Sequence, residues 1–204
     1  MVEYSTIRIL LLFLTIPIVL NCQAQSKLKF EIAPESELTL TGKSTVTGFN
    51  CELKNNFCGT KQEMTTTLKD DLLHIKGADI DIVIINLDCG NSRLEHDLQG
   101  ALNADDFPVM KLKILEISFV GGVVELLKNK CTTAQAEITI GEVSKCIYIN
   151  LSEIVLKDNL LEFKGIEEIN MKEFDITPPQ VLFGLVKVHE VITINFDLKV
   201  EFKI

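Results

Sequence analysis

Alternating apolar and polar positions dominate the chain, and its last stretch carries the pattern furthest. From Ile192 to Ile204 every second residue is large and apolar: Ile192, Ile194, Phe196, Leu198, Val200, Phe202 and Ile204. The residues between are polar: Thr193, Asn195, Asp197, Lys199, Glu201 and Lys203. A period of two sends one set to one face of a sheet and the other set to water. At roughly 3.3 Å per residue the run covers about 43 Å, against about 5–6 residues for a common strand. Such a strand, apolar on one side only, fits a curved sheet wrapped around an interior.

The same reading predicts strands along most of the chain. Leu28, Phe30 and Ile32 alternate with Lys27, Lys29 and Glu31, and further strands follow over 36–40 and 43–53. Segments 61–68 and 72–75 bracket a turn at Lys69-Asp70-Asp71. Ile80 to Leu87 is apolar on both parities and is predicted to be covered on both faces. The period then changes. Leu94, Leu98, Ala101 and Leu102 have helical spacing, so a helix is predicted over about 91–102, capped by Asn91 or Ser92. Strands resume over 110–119, 132–140, 143–157 and 160–171, with turns at Gly121-Gly122, Gly141-Glu142 and Asp158-Asn159. Ile166-Glu167-Glu168-Ile169 breaks the alternation and predicts a bulge. Antiparallel strands with one helix inserted midway make an all-β fold, either an up-and-down barrel or a sandwich.

Size and charge narrow the function classes. A chain of 204 residues suits one domain, and 47% hydrophobic residues suffice for a core. The net charge of -9 and the lack of a basic run argue against nucleic-acid binding. Residues 1–24 read as a signal peptide, leaving 25–204 as the domain. Arg8 precedes an apolar run from Ile9 to Leu20, too short to span a bilayer but of the length of a signal core. Cleavage is expected before Gln25, giving a periplasmic or secreted protein with no transmembrane segment. The alternative is a lipoprotein anchored through Cys22. Export into an oxidising compartment makes disulfides plausible among Cys51, Cys58, Cys89, Cys131 and Cys146, with buried free thiols as the competing reading.

No catalytic constellation emerges. His74, His96 and His189 are far apart and fall in no metal-ligand spacing; His189 lies on the polar parity beside the final strand. There is no nucleophile elbow, phosphate-cradling glycine loop or His-Glu-x-x-His, and no cofactor is expected. Asp105-Asp106 and Glu167-Glu168 read as solvated pairs rather than paired catalytic carboxylates. What remains is an interior. If the sheet closes, Phe30, Ile32, Phe49, Ile114, Ile149, Phe163, Ile192, Ile194, Phe196 and Leu198 share one lining. A barrel of about eight strands either fills itself with side chains or holds one ligand. Periodicity leaves both open: a filled structural or protein-interaction module of the cell envelope, or an apolar cavity. A cavity of this composition suits a hydrocarbon, each buried methylene contributing about 0.8 kcal/mol. A homodimer is left as open as a monomer.

Several stretches, in order, resemble the YceI-like family of exported lipid-binding proteins. They are Thr41-Gly42-Lys43-Ser44-Thr45-Val46-Thr47-Gly48-Phe49; Leu87-Asp88-Cys89-Gly90-Asn91-Ser92-Arg93-Leu94 with Leu102-Asn103-Ala104-Asp105-Asp106-Phe107-Pro108; Glu137 to Lys145; and Met171 to Pro179 with the final strand. The resemblance implies an extended, lipocalin-like antiparallel β-barrel with a helix near one end. It implies binding of a polyisoprenoid, a quinone tail or a fatty acid, without catalysis. Cys51 and Cys89 fall in motif-like segments, which favours pairing them. Cys146 stands where the family has a β-branched or apolar residue, which suggests pairing elsewhere, with Cys131 as the candidate.

Overall fold

The computed structural model describes residues 25–54, 61–69, 72–119, 132–181 and 185–203. Residues 1–24, read above as a signal peptide, with Cys22, and Asp70-Asp71 and Gly121-Gly122 of two predicted turns, Cys58, Cys131 and Ile204 lie outside them.

Eight strands close into an antiparallel barrel. In chain order they are β1 (Gln25–Ile32), β4 (Lys61–Lys69), β5 (Leu72–Val83), β7 (Val109–Phe119), β8 (Thr132–Ile140), β9 (Val143–Lys157), β10 (Leu160–Asn170) and β13 (Val191–Lys203). Each pairs with the next, and β13 returns to β1, with Phe30 opposite Phe202 and Ile32 opposite Val200. Closure leaves no free sheet edge along the joined staves, which is how an up-and-down barrel avoids strand-to-strand aggregation. The period-two pattern explains the staves: Ile194, Phe196 and Leu198 are each at most 3% exposed.

The long strand β13 serves two partners on one edge. Residues 193–197 pair with β2 (Glu37–Lys43), and residues 200–203 pair with β1. Between β1 and β2 the Ser36 hydroxyl replaces a ladder peptide: it accepts from the Lys199 N–H at 3.0 Å and donates to the Lys199 carbonyl at 3.3 Å. From β2 a short flap continues through β3 (Gly48–Leu53) to β6 (Leu87–Asp88). Two further short strands, β11 (Gln180–Val181) and β12 (Val186–Lys187), pair with each other, and Lys187 accepts from the Thr45 N–H beyond β2.

Helix α1 (Ser92–Ala101) lies within the predicted range, and Asn91 caps it: its Oδ1 accepts from the N–H groups of Arg93 and Leu94. Its Leu98 and the following Leu102 are buried, joining Ile82, Ile84, Leu87 and Met110 in the packed end of the barrel. The Cys51–Cys89 disulfide ties β3 to the approach of this helix. Cys146 is an exposed free thiol on the outer face of β9, so the pairing suggested for it does not form.

Two local expectations are corrected. Ile80 to Leu87 is not covered on both faces, because the strand breaks into a 3-10 turn at Ile84–Asn86 and turns Ile85 out, 71% exposed. The bulge expected at Ile166–Ile169 sits instead across the ladder in β9, where Glu153 takes a φ of 51° and the register shifts between Glu162 and Lys164. The extra residue lets Leu151 and Ile154 both turn inward.

Candidate functional site

An apolar cavity of about 160 Å³ occupies the barrel toward the end away from the helix. All eight staves contribute to it: Phe30 and Ile32 from β1, Met64 from β4, Leu73, Ile75, Ala78 and Ile80 from β5, and Leu112, Ile114 and Ile117 from β7. The wall is completed by Ala134 (β8), Ile149, Leu151 and Ile154 (β9), Leu161 and Phe163 (β10), and Phe196, Leu198, Val200 and Phe202 (β13). None of these side chains carries a hydrogen-bonding group, so the wall offers dispersion contacts and nothing that would bind water or ions.

Three bulges shape the wall at this level. In β5 the register shifts between His74 and Ala78, in β7 between Ile114 and Glu116, and in β9 beside Glu153. Each inserted residue keeps apolar side chains inward on both sides of the break and increases the local bend. Gly77 makes the first possible: its φ is +88°, and a Cβ there would meet the Glu63 carbonyl oxygen at 2.6 Å. Where the β4–β5 ladder ends at Thr65 and Lys76, the Gln62 side chain takes over. Its amide nitrogen donates to the Asp79 carbonyl at 2.5 Å and its oxygen accepts from the Asp79 N–H at 3.1 Å. Small residues make the room. Ala134 is inside, and Gly165 lets Ile149 and Leu151 press against β10, since a Cβ there would meet Ile149 at 2.8 Å.

Seven of the ten residues expected on the lining reach this cavity: Phe30, Ile32, Ile114, Ile149, Phe163, Phe196 and Leu198. Phe49, Ile192 and Ile194 do not. Phe49 belongs to the β3 flap, where its ring lies against Gly42. Ile192 and Ile194 have the right parity but stand lower on β13, in the packed core. Phe202, on the same parity of β13 but outside those ten, also lines the cavity. Leu161, Val200 and Phe202 continue the alternation of residues already chosen and were within reach of the same pattern. Ala78, Ala134 and Met64 carried no such signal.

Polar chemistry stays outside the cavity. His74 is turned outward, its Nδ1 3.0 Å from a Glu116 carboxylate oxygen. His96 is exposed on the helix. His189 lines an open outer cleft of about 830 Å³ whose lining includes the charged Lys43, Lys187 and Glu190. Glu167 lies on the inward parity of β10 opposite Ile194; burial, with help from the charge of Glu168, holds its carboxyl above the ordinary carboxylate range. Among the described residues no cluster of three or more histidine, cysteine or acidic side chains could hold a metal, and no helix is long and apolar enough to cross a membrane.

Comparison with known proteins agrees with this architecture. BcnA of Burkholderia cenocepacia superposes with a TM-score of 0.53 at 14% identity, over 83% of this chain and 99% of that one. A Saccharophagus degradans domain described as polyisoprenoid-binding and implicated in plant cell wall breakdown superposes at 0.55 with 9% identity, over 84% and 97%. At these identities both show the fold alone. No curated protein matches the sequence. The sequence pattern of the YceI-like domain covers residues 22–200, nearly the whole chain, and the protein therefore belongs to the YceI-like domain family.

Proposed function

We propose that this protein binds, and carries or stores, a long isoprenoid or similar lipid in its barrel, without catalysis and without a cofactor. The observation that carries the reading is a closed barrel with an internal cavity that, among the described residues, is lined by apolar side chains alone. The description of the Saccharophagus degradans domain as polyisoprenoid-binding supports the ligand class. The cavity also weighs against the filled-core alternative. Its size is that of an engineered apolar cavity of about 150 Å³ that stays dry and admits benzene. One isoprene unit of about five carbons contributes roughly 4 kcal/mol on burial. Association costs an estimated 4–15 kcal/mol or more. Several units are therefore needed, and a ligand of that length displaces lining side chains and runs out through the mouth. The Cys51–Cys89 disulfide and the signal-like residues 1–24 support a periplasmic or secreted location.

Native mass spectrometry of the purified protein, before and after solvent extraction, tests this. The expected result is a co-purified lipid, or uptake of added polyprenol by the extracted protein. Absence of both overturns the reading.

A further inference from the structure

The barrel seam between β9 and β10 closes over only part of its length. The ladder runs from Lys157 and Leu160 to Asn150 and Ile166 and stops there. Beyond it β9 continues over residues 143–149, paired with β8, and β10 over residues 167–170, paired with β13. Alternate residues of an antiparallel strand direct N–H and C=O to opposite neighbours. Val143 pairs with Ile140 around the two-residue Gly141-Glu142 loop, so the odd-numbered residues of this stretch bond to β8. The hydroxyls of Thr139 and Ser144, 2.8 Å apart, mark the next pair as one without ladder bonds. The even-numbered Cys146 and Tyr148 therefore turn both backbone groups toward the gap. Glu168 does the same from β10, in step with Ile166. Among the described residues no other group bonds to these edges.

A cleft of about 400 Å³ occupies the gap. Buried Ile147 and Phe174 line it, and so do Glu167, Glu168 and Glu173 against one cation, Lys145. Among the described residues none of the three carboxylates has an ion-pair partner, and the adjoining Lys172 is held by Glu190. Glu167 and Glu168 are successive residues of β10 and point to opposite faces, so a strand laid in the gap meets a carboxylate on either face. Tyr148 is 58% exposed and offers its ring to a guanidinium.

We propose that the open seam is a docking site for an extended basic segment of a partner protein, which adds to the β9 edge as a strand. Main-chain hydrogen bonds to Cys146 and Tyr148 hold the segment, and the carboxylates select its lysine or arginine side chains. Charge decides between the occupants. This chain carries no basic run, so its own segments do not match the cleft. A second copy would bring the same three glutamates and a net charge of -9 to the seam, and like charges oppose the pairing of two such edges.

Fluorescence anisotropy with labelled peptides of about six residues, the length of an ordinary strand, tests this. A peptide alternating arginine and valine is expected to bind, and one alternating glutamate and valine is not. N-methylation of the backbone amides of the first peptide keeps its charge and is expected to abolish binding. In the protein, Tyr148→Pro removes a gap-facing N–H without touching the β8 ladder and is expected to weaken binding. Glu168→Lys with Glu173→Lys, both at exposed positions, is expected to weaken it roughly tenfold. Glu37→Lys with Glu52→Lys, exposed on β2 and β3, is expected to leave it unchanged. No binding of the arginine–valine peptide, equal binding of the glutamate peptide, full binding of the methylated one, or equal effects of the two lysine pairs overturns the proposal. So does a dimer of the protein that Tyr148→Pro dissociates, since the seam then takes a second copy.

Discussion

Single side chains decide what the barrel holds. Ala134 is 2% exposed and stands where a larger apolar residue would project into the void. Ala134→Phe is expected to lower lipid occupancy at least tenfold by filling that void. Stability should fall by no more than the roughly 1–3 kcal/mol typical of overpacking, read by polyprenol binding beside thermal melting. Glu167 makes the opposite point, since its carboxyl is held above the ordinary value of 4.5 by burial. A carboxyl raised in the folded state binds its proton more tightly there than in the unfolded chain. Stability is therefore fully present below the ordinary value and falls as pH rises through the raised one. Glu167→Gln, which mimics the protonated acid, is expected to be more stable than the parent at neutral pH. That advantage should vanish below the ordinary carboxylate value, as urea melts at the two pH values would show.

At the level of elements, parity was readable and its interruptions were not. The alternation of Ile147, Ile149 and Leu151, or of Phe196 and Leu198, is a local consequence of the pleat and appears in the residues themselves. The bulge ending at Gly77 adds two residues to β5 against β7, those at Leu115 and Glu153 add one each, and only pairing with a neighbouring strand reveals which strand carries them. Glu153 illustrates this: the broken alternation at Ile166–Ile169 pointed to the wrong side of the ladder. Gly77 is the most sensitive of these positions. Gly77→Ala must hold a side chain at φ +88° and push its Cβ against the Glu63 carbonyl. A loss of about 1–2 kcal/mol from the left-handed backbone alone is expected, with the overlap adding to it. Hydrogen exchange at the Asp79 N–H, bonded to Gln62, should rise in the same variant as the seam loosens; unchanged exchange there would contradict the seam's role.

Across the whole molecule, two ends of one barrel do different work. The helix end is packed with Ile82, Ile84 and Leu87 and joined by the Cys51–Cys89 disulfide, while the hairpin end holds the cavity. The two cysteines are 38 residues apart, and in the chain-entropy account a crosslink over such a loop is worth about 4 kcal/mol. Reduction, or paired Cys51→Ala and Cys89→Ala, is expected to lower stability by about that amount, measured by denaturant unfolding. By itself the sequence determined which side chains face inward, where the helix lies and that the interior is apolar. Each follows from the spacing of residues within one segment. Tertiary structure alone decided how high along the barrel the void lies, which is why Phe202 lines it and Ile194 does not. Parity names a face but not a height. An empty volume is the difference between what eight strands enclose and what their side chains fill, and no single strand contains that difference.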